Sequence, residues 1–196
     1  MKLEKVNVET GIAVLVRGAD ALMSDCHSCH SMKYIKYRDL ASLGLDKKKL
    51  DLWRVDLSPD APLLAQMSDV EAMQAFGKAP PDLSLMVNAR EGGAAYVYSY
   101  LLGYYVTPEG KSGNHIYPET KMPDPLGISV AQDAEQRTQI QSRSRDIVSF
   151  LAWAADPHGA DRIRLGYYVL AYLIMLTILL YFVKNIIWSR LERDVV

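Results

Sequence analysis

Two cysteines, Cys26 and Cys29, stand in the stretch SDCHSCHSMKYIKYRDL, and His30 follows the second directly. Three chemistries use thiols at this spacing. Zinc takes about four ligands, and beyond the motif His115 and His158 offer no second clustered pair. A redox-active dithiol belongs after a strand in a βαβ setting, whereas this pair follows a helical pattern. In CxxCH, two thiols can add to the vinyl groups of one haem while the next imidazole reaches its iron. The spacing favours covalent haem, with zinc and dithiol redox as rivals. His27 reads as an exposed bystander, pointing away from the ring if His30 points toward it.

An iron held by His30 needs a sixth ligand. Met67, Met73 and Met86 sit in apolar contexts where packing accounts for a thioether. Met122 opens MPDPL, where Pro123 and Pro125 stiffen a loop that has no regular packing face. A thioether there, with His30 opposite, favours ferrous haem and raises its potential. His115 is the rival, and the residues by themselves leave the choice open.

These side chains must be placed by a mainly helical fold. Ile12, Leu15, Val16, Ala19, Leu22 and Met23 recur at helical spacing and predict a short amphipathic helix running into Cys26. Ile140, Ile147, Phe150, Leu151 and Ala154 predict a second helix, stopped near Pro157 and Gly159. GGAAYVYSYLLGYY, residues 92–105, is a third stretch in which helix and strand are hard to separate. LSPDAPLL, GKAPPDLS and TPEGKSGNHIYPETKMPDPLG read as Pro- and Gly-rich loops.

From Leu165 to Val183 the chain runs nineteen residues without a charge. At ~1.5 Å per residue that is ~28 Å, close to the hydrocarbon thickness of a bilayer. Tyr167, Tyr168, Tyr181 and Trp188 lie near its two ends, where such rings favour the headgroup level. The expected division is 1–160 as one haem domain with long loops, 161–190 as a C-terminal transmembrane helix, and 191–196 as a short tail. Arg145, Arg162 and Arg164 before the span balance Lys184, Arg190 and Arg193 after it, so charge does not orient it. MKLEKVNVET shows no apolar h-region, hence no secretory signal.

Lys and Arg total 22 against 23 Asp and Glu, which excludes a strong basic field and with it nucleic acid as a partner. From Val55 to Gly77 the charges are all acidic: Asp56, Asp60, Asp69 and Glu71. They read as a solvated loop or as a face steering a basic protein.

CHSCHSMKYIKYRDL, PPDLS (80–84), NAREGGAAYVYSYLLGYYVTPEG (88–110), MPDPL (122–126), FLAWAADP (150–157) and the C-terminal span, in this order, resemble the cytochrome c1 family. That family is the haem subunit of the respiratory ubiquinol–cytochrome c oxidoreductase. The resemblance covers nearly the whole chain. It implies one covalently attached haem c, with Cys26 and Cys29 as thioether anchors, His30 as proximal ligand and Met122 as distal ligand. It further implies that Arg90 pairs with a propionate, that Pro81 and Tyr96 line the pocket, and that Tyr34, Tyr37 and Arg38 cover the haem edge or meet a partner. The chain would then be no enzyme alone but an electron carrier from a Rieske iron–sulfur protein to a cytochrome c, anchored beside cytochrome b in the bilayer. The membrane would be a bacterial or mitochondrial inner membrane, with the haem domain periplasmic or in the intermembrane space. Two departures stand out: the loop before Met122 is shorter than the family's usual form, and Lys121 replaces a small apolar residue. An exported domain also implies a leader removed beforehand. The alternatives are a haem subunit of another membrane oxidoreductase, or a haem sensor or peroxidase-like protein with an open iron position.

Overall fold

A computed structural model describes residues 2–194, excluding the side chains of Ala160 and of residues 191–194. Residues 195 and 196 of the expected tail lie outside the described residues. Two compact units are present, divided between Ala155 and Asp156.

In the first unit, α1 (Ile12–Asp25) packs against α6 (Ala134–Ala155). Leu15, Ala19 and Leu22 of α1 are buried as their spacing predicts, together with Val14 and Ala21, while Ile12 is left exposed before the first buried turn. Gly18 sets the crossing. A Cβ there would lie 2.1 Å from the Asp146 carbonyl oxygen and 2.7 Å from Phe150 Cβ, so only a hydrogen fits between the helices. Two Arg–Asp pairs tie this crossing. Arg17 Nε donates to Asp146 at 2.7 Å, and Arg143 reaches Asp25 in the same two-pronged manner. Leu22 and Phe150 are 0% and 1% exposed, and each such side chain contributes ~1.5–3 kcal/mol by leaving water. Asp133 starts α6 by accepting the Gln136 amide at 2.7 Å.

The ambiguous stretch 92–105 divides into helix α5 (Gly93–Leu102) and the start of strand β3 (Tyr104–Val106). Gly92, at φ +89°, turns the chain into α5. β3 pairs antiparallel with β4 (Ser112–Asn114), a strand inside the stretch read as loop. β1 (Met32–Lys36) likewise pairs with β2 (Pro62–Leu63).

Three short helices, α2 (Tyr37–Ser42), α3 (Lys47–Arg54) and α4 (Asp69–Phe76), occupy segments in which no helix is predicted. α4 corrects the loop reading of the acidic segment. Ser68 and Glu71 form a reciprocal capping box, and Asp69 and Glu71 sit in the first turn, where the helix dipole favours anions. Asp60 is bound to Arg38. Three of the four acids therefore have local structural work.

In the second unit, α7 (Gly159–Asp194) contains the membrane-length stretch Asp161–Arg190, thirty residues long. It is the one described helix long and apolar enough to cross a membrane. Its apolar side chains, from Leu165 through Phe182, are almost all exposed, as lipid contact requires.

Candidate haem site

The CxxCH motif is built by the end of α1. The Cys26 amide donates to the Leu22 carbonyl, and the Cys26 carbonyl then accepts the amides of Cys29 and His30 at 3.1 and 2.9 Å. This closes the motif into a turn that leads into β1. Both thiols are free, Cys26 buried and Cys29 half-buried.

Two later segments are stitched to that turn. Met67 and Ala65 donate amides to the Ser28 carbonyl and the Ser31 hydroxyl, at 3.0 and 2.8 Å. In PPDLS, Asp82 accepts the Lys33 amide at 2.8 Å, Ser84 accepts the Tyr34 amide at 3.1 Å, and the Leu83 amide returns to the Ser31 carbonyl. This clamp places the Pro81 carbonyl 2.7 Å from His30 Nδ1. With a proton on Nδ1 donated to that carbonyl, Nε2 keeps its lone pair for a metal. Burial pushes the His30 pKa down, with the Pro81 hydrogen bond and Asp82 opposing it, so the neutral ligating form prevails.

The loop carrying Met122 is held from α5. Asn114, fully buried, donates to the Tyr100 carbonyl at 2.8 Å and accepts the Ile116 amide at 2.8 Å. Beyond Met122, Asp124 accepts the amides of Leu126, Gly127 and Ser129. The Tyr100 hydroxyl lies 2.6 Å from Thr120 Oγ1 and 3.8 Å from Met122 Sδ.

These elements enclose a cavity of about 590 Å³, within the ~300–1,000 Å³ range of ligand pockets. Cys26, Cys29, His30, Pro81, Arg90, Tyr96 and Met122, the residues expected to hold the haem or line its pocket, line it. Val97 and Leu101 of α5 meet Ile147 and Leu151 of α6 as apolar wall. Arg90 is exposed, and among the described residues it has no carboxylate partner. His115 does not line the cavity; it is exposed and stacks on Tyr105 at 4.3 Å between ring centroids.

One expectation changes. His27 is buried, 4% exposed, though it does not line the cavity. Of Tyr34, Tyr37 and Arg38, expected to cover the haem edge or meet a partner, none lines the cavity: Tyr37 is core with its hydroxyl donating to the Trp53 carbonyl at 3.3 Å, while Tyr34 and Arg38 are exposed, which leaves the partner alternative open, and Arg38 pairs with Asp60. Spacing also missed Asn114, Tyr100, Thr120 and Asp124. Of these, Asn114 after Ser112 and Gly113 and Asp124 between two prolines carry turn signals, while Tyr100 carries none.

The donor set discriminates among the three chemistries. Among the described residues no three His, Cys, Asp or Glu side chains group as a metal cluster of their own. Burial, with Asp25 adding to it, pushes the Cys26 thiol up to about 12, opposite to the low pKa of a redox thiol. An apolar cavity offering an imidazole, a thioether, two thiols and a rim guanidinium fits haem in size and chemistry. Fold and donor set define a class: a mainly helical cytochrome whose last helix is long and apolar enough to cross a membrane.

Sequence comparison specifies it further. The chain matches the Cytochrome C1 family over residues 4–62 and 54–191. It is 32% identical to cytochrome c1 of Allochromatium vinosum, over 95% of this chain and 88% of that protein. It is 31% identical to cytochrome c1 of Rhodospirillum rubrum, over 91% and 82%. With the mitochondrial cytochrome c1 heme protein of Schizosaccharomyces pombe it shares 31%, over 92% and 68%. The chain belongs to the cytochrome c1 family.

Proposed function

We propose that this chain takes single electrons from a Rieske iron–sulfur protein and passes them to a cytochrome c, within a membrane complex where cytochrome b holds its anchor helix. Family membership carries the coarser part: a haem-carrying electron-transfer subunit of the cytochrome bc1 complex, not an enzyme alone. The observation behind the finer part is that Cys26, Cys29, His30 and Met122 line one cavity.

In this reading Cys26 and Cys29 would hold one haem c through thioethers, and His30 would offer Nε2 to its iron. Met122 would give the iron a second protein ligand, which would leave no open site for substrate or oxygen and favour outer-sphere transfer. The haem, when bound, supplies a one-electron ferric/ferrous couple. Arg90 offers its guanidinium fork to a propionate, and Pro81 and Tyr96 shape the wall. The apolar lining excludes water and disfavours the more charged ferric state. Residues 1–160 form the haem domain on the periplasmic or intermembrane-space side, 161–190 cross the inner membrane once, and 191–196 emerge on the other side. A long exported domain orients such a span despite balanced local charges.

A pyridine haemochrome spectrum of the purified chain, after extraction with acidified acetone, tests the attachment. The expected result is a c-type spectrum with the pigment retained on protein. Haem lost to the solvent would overturn it. Co-purification of a Rieske protein and cytochrome b, with haem reduction that stops when the Rieske protein is removed, tests the electron path.

A further inference from the structure

Neither spacing nor family resemblance marks Tyr100, yet its phenol oxygen sits where three polar groups converge. The Tyr104 hydroxyl donates to it at 3.0 Å, Thr120 Oγ1 lies at 2.6 Å and Met122 Sδ at 3.8 Å. The Met122 amide in turn donates to Thr120 Oγ1 at 3.3 Å. A phenol oxygen has one proton and two lone pairs to place. Tyr104 occupies one lone pair. If the Thr120 proton occupies the other, the Tyr100 proton is left for Met122 Sδ, and Thr120 Oγ1 remains an acceptor for the Met122 amide. Every donor then has an acceptor. The reverse assignment, Tyr100 donating to Thr120, would pass the Thr120 proton on to Tyr104, with which Thr120 also makes a side-chain hydrogen bond, and would leave the Met122 thioether without the Tyr100 hydroxyl that stands as its donor at 3.8 Å. Satisfied networks are favoured where water is scarce, and Tyr104 is only 5% exposed.

We propose that Tyr100 is a positioning residue for the Met122 thioether: its hydroxyl engages one sulfur lone pair, turns the other toward the metal site, and raises the reduction potential of the haem. The inference rests on Met122 being an axial ligand. A hydrogen bond to sulfur withdraws electron density, which makes the thioether a weaker donor to ferric iron and so favours the ferrous state. Thr120 and Tyr104 act through Tyr100 by saturating its lone pairs, which explains why a helix residue and a loop residue far apart in sequence share one hydroxyl chain.

Redox titration of the full-length, haem-loaded chain in detergent, read with the sulfur-to-iron charge-transfer band of the ferric form, tests this. Tyr100→Phe should keep the haem and the band while lowering the ferrous-to-ferric ratio at fixed poise about threefold, or ~30 mV for one electron. Replacing Tyr100 by 3-fluorotyrosine, whose proton is more acidic, should shift the potential in the opposite direction. Thr120→Val should weaken the band and Thr120→Ser restore it. Potentials unchanged in both Tyr100 variants, or moved the same way, would overturn the proposal. If Tyr100→Phe loses the axial bond and admits carbon monoxide, the fluorinated variant, which keeps its hydroxyl, decides by the sign of its shift. A parent protein that lacks the band and binds carbon monoxide would overturn the Met122 assignment itself, an outcome distinct from failure of the role given to Tyr100.

Discussion

The Pro81 carbonyl oxygen lies 2.7 Å from Nδ1 of His30. The contact is made by main chain, so it depends on the path of PPDLS rather than on a side chain, and Asp82 and Ser84 hold that path against β1. It fixes the tautomer and ring plane of His30 before any iron is present. In the reduced, haem-loaded protein the His30 Nδ1 proton should give an exchange-protected imidazole resonance. Pro81→Ala, which keeps the carbonyl, should preserve it; rapid exchange in the parent would contradict the assignment.

Met122→Leu should leave haem on Cys26 and Cys29, because thioether bonds do not depend on the other axial ligand. The potential should fall, and each ~59 mV makes delivery from a high-potential donor ~1.4 kcal/mol less favourable for one electron. The ferrous variant should bind carbon monoxide, which the parent should refuse. His115→Ala should do neither, since that ring lies on Tyr105 and away from the cavity wall. The reverse pattern would move the ligand to His115.

Gly18→Ala should push α1 and α6 apart, because its new methyl group would meet the Asp146 carbonyl at 2.1 Å. Overpacking of this kind costs ~1–3 kcal/mol. Thermal unfolding of the haem-loaded chain should show a lowered midpoint, and both Cys26 and Ile147, carried by the displaced helices, should loosen the cavity. An unchanged midpoint would mean that the crossing is not tight.

Glu71 gives a pH dependence of known sign. The Ser68 hydroxyl and then the Ser68 amide hold its carboxyl below the usual carboxylate range. A depressed folded-state pKa adds stability above the unfolded pKa and loses it as pH falls through the folded one. Acid titration of stability should therefore be less steep in Glu71→Gln than in the parent. Identical acid limbs would show that the capping box carries no charge-dependent stability.

The elements that were legible are those written in local pattern. The helical repeat of Leu15, Ala19 and Leu22 needs only neighbouring residues to state a buried face, and the uncharged run from Leu165 to Val183 needs only its length. α4 was hidden because Asp69 and Glu71 look like solvated charge until Ser68 closes its box around them. The stretch 92–105 was ambiguous because its aromatics suit either structure, and β3 forms only when β4 returns to pair with it.

At the site, CxxCH by itself determined two sulfurs and an imidazole within one turn, since that geometry closes over five residues. The choice of Met122 over His115 as cavity wall could not be made locally. It follows from a loop pinned by Asn114 to the Tyr100 carbonyl and by Asp124 to its own return. Burial of His27 and the hydroxyl chain from Tyr104 to Thr120 likewise depend on segments distant in sequence. Only tertiary structure decides such contacts, because hydrogen bonding between distant groups is set by how the chain closes its loops and not by the spacing of the residues that make it.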